Sequence, residues 1–355
     1  MNGRDLTIVN ALGILDNPNA EQSLAAAGQL NPSSDQLSID DRTLTDAHAS
    51  GLTAVNITLG YTMGEMEPYA HTLEEIAVWD RHLAEHPADL TKVLTAADID
   101  RARLDGKVGV IYGFQNAVAV GDDVSRVAEF QRRGVRVIQL TYNQANHLGA
   151  GSMASGNAGL TPWGREVVRA LNDAQVMVDL SHSGEQTCLD AIRASRAPIS
   201  INHTGCRALT DLPRNKTDEE LRLVAESGGF VGIYFMPFLS LSGHATAADV
   251  VAHLEHAVQV CGEDAVGIGT DGTVTGIDDL DAYRVTLAEH VAHRQAAGVG
   301  AAGERADTLP FVLDLSGVDQ FHRLITLLEQ RGHSWSRIEK VMGRNFIDYA
   351  RRIWG

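Results

Sequence analysis

Short apolar runs recur along the chain at spacings of a few tens of residues. They read LTIVNALGI (6–14), LTAVNITLG (52–60), KVGVIYGFQ (107–115), VRVIQLTYN (135–143), VMVDLSH (176–182), PISINH (198–203), GFVGIYF (229–235) and AVGIGTD (265–271). Between most of them lie stretches of helical periodicity: DDVSRVAEFQRRG, GREVVRALNDAQ, GEQTCLDAIRAS, TDEELRLVAESGG and AADVVAHLEHAVQVCG, several closing on glycine. Strands that are apolar throughout, separated by amphipathic helices, predict a parallel sheet covered by helices. Eight such units favour a closed (β/α)8 TIM barrel over a doubly wound sheet. The dinucleotide-binding alternative lacks its signal, because no G-x-G-x-x-G follows the first strand and GVGAAG (298–303) falls in a loop. The expected organisation is a single barrel domain over 1–355. It carries an excursion at about 272–316 and two C-terminal helices, VDQFHRLITLLEQRG and SWSRIEKVMGRNFIDYARRIW, packed outside the barrel.

Composition narrows the partners. The 355 residues are 44% hydrophobic and 21% charged, enough for a sizeable core. With 29 basic against 46 acidic residues the formal net charge is −17, which argues against nucleic acid and anionic membranes, since phosphate binding needs a basic surface. The first twenty residues lack the pattern of a signal peptide. No window reaches the roughly 18 apolar residues of a membrane span. Three widely spaced cysteines, Cys188, Cys206 and Cys261, fit a reducing cytoplasm. A small-molecule substrate is the expected partner, with a homo-oligomer left open.

Candidate chemistry gathers where the apolar runs end. In a barrel of this kind the active site is built at the C-terminal ends of the strands. VMVDLSHSG carries Asp179, Ser181 and His182 straight out of an apolar strand, PISINH ends in His203, AVGIGTD in Asp271, VIYGFQ in Gln115 and VIQLTY in Tyr142, followed by Asn143. Two imidazoles and a carboxylate on one rim point to metal-assisted hydrolysis, because neutral imidazole is a favoured zinc ligand and a nearby carboxylate deprotonates water. His147 is a second-tier candidate whose simpler reading is a solvated loop histidine. Asp122 and Asp123 read as a helix start.

The stretches LTYNQANHLGAG, GLTPWGREVVRALN, VDLSHSGEQT, INHTGCRALTDLPRNKTDEELR and GIGTD, with the terminal VMGRNF, resemble the membrane dipeptidases, also called renal dipeptidases, among the amidohydrolase-like barrels. The resemblance implies that His182 and His203 stand where the second of two zinc ions is held. It places Asp271 at the catalytic acid/base and Arg214 where an arginine grips the substrate carboxylate. Gln115 and Asn143 join Arg214 as substrate-binding candidates. The chain departs from the family at the first metal: Leu12 and Ile14 replace a His-x-Asp pair, Gln115 replaces the bridging glutamate, and Tyr142 replaces a histidine that polarises the substrate carbonyl. The expectation is at most one divalent ion, zinc before others, on His182 and His203, or none. Three functions follow: hydrolysis of a small carboxylate-bearing, dipeptide-like amide; a metal-poor relative doing lyase, isomerase or other acid/base chemistry; or an inactive binding barrel.

Overall fold

The computed structural model describes residues 6–21, 23, 37–296, 300 and 302–355. Its strands are β1 (Ile8–Asn10), β2 (Leu52–Thr58), β3 (Leu90–Lys92), β4 (Val108–Phe114), β5 (Val135–Gln139), β6 (Met177–Asp179), β7 (Ser200–Thr204), β8 (Phe230–Ile233) and β9 (Val266–Ile268). All pairings are parallel, in the order β1-β2-β4-β5-β6-β7-β8-β9. The path closes where β9 returns to β1: Ala11 N donates to Ile268 O (3.0 Å), Asp271 N to Leu12 O (3.0 Å) and Ile14 N to Gly272 O (3.0 Å). This is the (β/α)8 barrel expected from the eight apolar runs. Every residue of β4 is buried, as are all but the last of β2, because helices cover the outside and side chains fill the inside.

The covering helices begin on polar caps. Thr217 and Glu220 form a reciprocal capping box ahead of Asp218–Glu226, and Thr246 with Asp249 does the same ahead of Ala247–Cys261. Pro162 opens Pro162–Asp173, where Thr161 accepts from Gly164 N. Each of these helices presents an apolar stripe to the strands, with Val167, Val168 and Leu171 of the last fully buried.

Two features differ from expectation. β3 was not foreseen; its three residues pair only with the start of β4, before β5 takes over that edge. The final segment, from Trp335 through the π-helical turn Lys340–Arg344 to Asn345–Trp354, lies beneath the barrel, against the strand beginnings. Asn345 Nδ2 donates to Glu263 O and Val266 O (2.8 Å each), Phe346 stands edge-on to Phe230 at 5.3 Å, and Trp354 Nε1 donates to Arg136 O (3.3 Å). The floor is therefore plugged and the opposite end is the one left for chemistry.

Gly343 in that plug lies against the backbone of β1. A Cβ there would overlap Thr7 O and sit 3.1 Å from Val9 N, and backbone cannot swing aside as a side chain can. Gly343→Ala is expected to lose about 1 to 3 kcal/mol in urea unfolding; an unchanged midpoint would show that the floor packs loosely.

Candidate active site

Asp179, the first polar residue of VMVDLSHSG, is buried, and one of its oxygens gathers three donors. Its Oδ1 accepts from Ser181 N (3.0 Å), Ser181 Oγ (2.6 Å) and Asn202 N (3.0 Å), and Ser181 Oγ in turn accepts from His203 N (3.1 Å). This carboxylate fastens the ends of β6 and β7 together, which places His182 and His203 side by side. Their ring centroids are 4.9 Å apart, and the ring of Tyr142, from the end of β5, stacks on His182 at 4.3 Å.

The state of His182 follows from its partners. Arg214 Nη2 lies 3.1 Å from Nε2, and a guanidinium has only donors, so Nε2 accepts. The proton is then on Nδ1, which donates to Asn143 Oδ1 at 2.7 Å. A neutral ring agrees with a pKa held well below the usual range by burial and by the Arg214 charge. Arg214 is itself buried, and its Nη1 donates to Ser181 O at 2.5 Å. His203 has no exposure at all and neither ring nitrogen has a partner; burial, with the Arg214 and Lys216 charges, holds its pKa well below the usual range. Buried donors and acceptors are seldom left unmade, and the His203 ring is an exception to that rule.

Asp271 follows β9 in the left-handed region, at φ 58°. It lines three cavities that meet at the rim. One, of about 320 Å³, is shared with Tyr142, Asn143, His182, Arg214 and Arg294. A second, of about 250 Å³, reaches Gln115, Ile14 and Trp79. A third, of about 280 Å³, is walled by Ile14, Phe235, Tyr283, Phe311 and Leu315. Burial pushes the Asp271 carboxyl up to about 6, while the Arg214 and Arg294 charges pull it down. A carboxyl poised there gains and loses a proton near neutrality. Gln115 anchors its amide nitrogen on Thr58 Oγ1 (2.8 Å) and leaves Oε1 buried and unpartnered.

The rim thus brings together Asp271, Tyr142, Asn143, His182, His203, Arg214 and Gln115, the residues the sequence singled out. His147 is exposed and tied to Gly121 O at 3.1 Å. Arg294, His290 and Tyr283 were not foreseen; they come from the helix Leu280–Ala296 in the excursion. The signal available was position alone, since a long insertion after the last strand hangs over the mouth of a barrel.

These donors do not fit a catalytic metal. Among the described residues no three His, Cys, Asp or Glu side chains are placed to hold one. Both nitrogens of His182 are engaged, Nε2 by a cation, and Leu12 and Ile14, just beyond β1, offer only hydrocarbon. That leaves His203 and a neutral amide.

The sequence profile of the membrane dipeptidases, peptidase family M19, matches residues 36–297. An amidohydrolase from Pseudomonas aeruginosa superposes with a TM-score of 0.79 at 30% identity, covering 99% of this chain and 97% of that one. The dipeptidase tcpJ of Claviceps purpurea is 27% identical over 286 residues, 79% of this chain and 60% of that protein. A metallo peptidase from Rhodobacter sphaeroides, solved with a phosphinate mimic of the dipeptide L-Ala-D-Ala, superposes with a TM-score of 0.74 at 20% identity over 98% of this chain and 99% of that one. No described helix is long and apolar enough to cross a membrane.

The raised Asp271 carboxyl carries a stability signature. Its folded pKa of about 6 lies above the usual 3.8, so the folded state holds the proton more tightly and loses stability as pH rises through that window. Asparagine tolerates the left-handed backbone as aspartate does. Asp271→Asn is expected to melt at a higher temperature than the parent at pH 8, with the gap narrowing as pH falls toward 5; a gap that is absent or widens on acidification contradicts this environment.

Proposed function

The chain belongs to the membrane dipeptidase family, and from that premise we propose that it hydrolyses small, carboxylate-bearing amides of the dipeptide type with Asp271 as base. The observation that carries the reading is the cavity in which Asp271 faces Arg214, Tyr142 and His182. A substrate carboxylate set against the Arg214 guanidinium brings its amide carbonyl toward Asp271. Asp271 takes a proton from water, the water oxygen bonds to the carbonyl carbon, and the C=O electrons move onto oxygen. When that oxyanion collapses, the C–N bond breaks and Asp271 returns its proton to the leaving nitrogen. The products are an acid and an amine. Tyr142 donates to the carbonyl oxygen, and the unpartnered nitrogens of His203 orient the water.

A second reading rests on the engaged His182. With its nitrogens held by Arg214 and Asn143, the rim is also suited to proton transfer on a carboxylate substrate without hydrolysis, as in a lyase or isomerase. Metal does not enter either sequence of steps: if zinc is held, His203 is the residue left to hold it, with His182 available only after Arg214 moves away. We propose a reducing cytoplasm as its setting, a reading that its three free cysteines support. Its partner is a small molecule.

A screen of dipeptides and N-acyl amino acids decides between the readings, scored by release of free amine. Asp271→Asn should then lower kcat by about 100- to 10,000-fold with KM little changed. Arg214→Met should weaken binding by about 2 to 5 kcal/mol, and Arg214→Lys by less. Full turnover in Asp271→Asn removes that residue from the mechanism, and amide turnover absent across the screen removes the hydrolase reading.

A further inference from the structure

The apolar cavity of about 280 Å³ beside Asp271 has no part in the steps above. Ile14 reaches it from just beyond β1, Phe235 from just beyond β8, Tyr283 from the excursion helix, and Phe311 and Leu315 from the end of the excursion. The rings of Tyr283 and Phe311 lie 5.8 Å apart, tilted by 48°. From this we infer that the cavity seats the acyl group of the substrate and that this group is uncharged hydrocarbon. The substrate class is then N-acyl amino acids with a bulky apolar acyl chain, in preference to dipeptides with a free amine.

Position is the first support, and it rests on the hydrolase reading. In that reading the substrate carboxylate lies against Arg214 in the cavity of about 320 Å³ and the carbonyl comes toward Asp271. Asp271 lines all three rim cavities, so the part of the molecule beyond the carbonyl continues into one of the other two. The cavity that reaches Gln115 is walled by Glu75, His290 and Arg294 as well as by Trp79. Hydrocarbon placed there would strip water from charged and polar groups without replacing its bonds. The apolar cavity asks for no such exchange, and burial against its wall is favourable for every methylene added.

Charge is the second support. Among the described residues no Lys, Arg or His lines this cavity, so it offers nothing to a second carboxylate. Its acidic side chains are Asp271 and Asp16, and Asp16 Oδ1 already accepts from Ser23 Oγ (2.6 Å) and Ser38 N (2.7 Å). The α-ammonium of a dipeptide is carried on the carbon next to the carbonyl. It would sit against Asp271, hold that carboxylate ionised and weaken its pull on a proton. Ile14 is 41% exposed, apolar surface left open beside the base. The wall is also set in advance: Phe235 N donates to Thr270 O (3.1 Å), Val312 N to Phe235 O (3.0 Å) and Gln320 Nε2 to Thr273 O (3.0 Å). Little binding energy is then spent on ordering it.

The probes are acetylalanine, hydrocinnamoylalanine and phenylalanylalanine, with alanine in both enantiomers; the last two differ only by the α-ammonium. Turnover is read on the full-length protein by release of alanine, and affinity by calorimetry on Asp271→Asn. Hydrocinnamoylalanine should exceed acetylalanine about 10-fold or more in kcat/KM and in affinity, and should exceed phenylalanylalanine in both. Phe311→Ser and Ile14→Ser should each cut the ratio of hydrocinnamoylalanine to acetylalanine at least about five-fold, while Phe311→Leu, which keeps the wall apolar, should retain most of it. A general loss of folded protein cancels in that ratio. Amide turnover without the preference, or with phenylalanylalanine as the best of the three, overturns the apolar seat and leaves the hydrolase reading standing. No turnover, with hydrocinnamoylalanine still bound more tightly than acetylalanine, overturns the hydrolase reading and keeps the seat. No turnover and equal affinities overturn both.

Discussion

Closure of the barrel between its last strand and its first is the constraint on which the rest depends. Asn10 and Thr270 make it reciprocally: Asn10 Nδ2 donates to Thr270 Oγ1 and Thr270 N donates to Asn10 Oδ1, both at 2.8 Å. Immediately beyond, Asp271 N donates to Leu12 O. This pair of buried side-chain bonds fixes the end of β9 against β1 and turns the next residue into the left-handed conformation. Aspartate is one of the few residues other than glycine that accepts that backbone at modest cost. The carboxylate is thereby set at the meeting point of the rim cavities, and the seam that shuts the barrel is the same one that aims Asp271.

What surrounds that carboxylate is a balance between burial and charge. Burial favours the protonated form and the two guanidinium groups favour the ionised one. The outcome is a group that holds a proton just below neutrality, which is what a residue needs if it is to take a proton in one half of a reaction and return it in the other. The imidazoles are pressed the other way and stay neutral. In the proposed reaction neutral histidines, an adjustable carboxyl and fixed cations divide the work among groups with different proton affinities, and Leu12 and Ile14, just beyond β1, supply no further donor.

Much of this was legible in the sequence because two simple rules apply to barrels. Strands buried on both faces are apolar throughout, so the runs ending at Gln115, Tyr142, His182, His203 and Asp271 stood out, and their polar ends had to meet at one rim. β3 escaped because three residues, LTK, with only Leu90 buried, carry no such run. The last helix showed its apolar stripe, but periodicity says which side of a helix is buried and not what it is buried against; the floor of the barrel was one of several surfaces it fitted. Arg294 was beyond reach for a related reason. It lies in a weakly patterned helix, and only the return of the excursion over the mouth brings it to the cavities that Tyr142 lines. The contact between Arg214 and His182 was likewise invisible, though both residues were expected at the rim, because whether an arginine meets a substrate or a neighbouring imidazole depends on a few ångströms of loop geometry.

In the proposed reaction Asp271 works as a base tuned by burial and two guanidinium groups, with no metal setting its proton affinity. The most direct test is the pH dependence of kcat/KM for dipeptide hydrolysis by metal-stripped protein, which reports the ionisation of the free enzyme's essential base. The rate should rise with pH through a single ionisation near 6, the value toward which burial pushes the Asp271 carboxyl. A stripped protein that hydrolyses nothing until zinc is restored, or a rate that stays flat across that range, would contradict it.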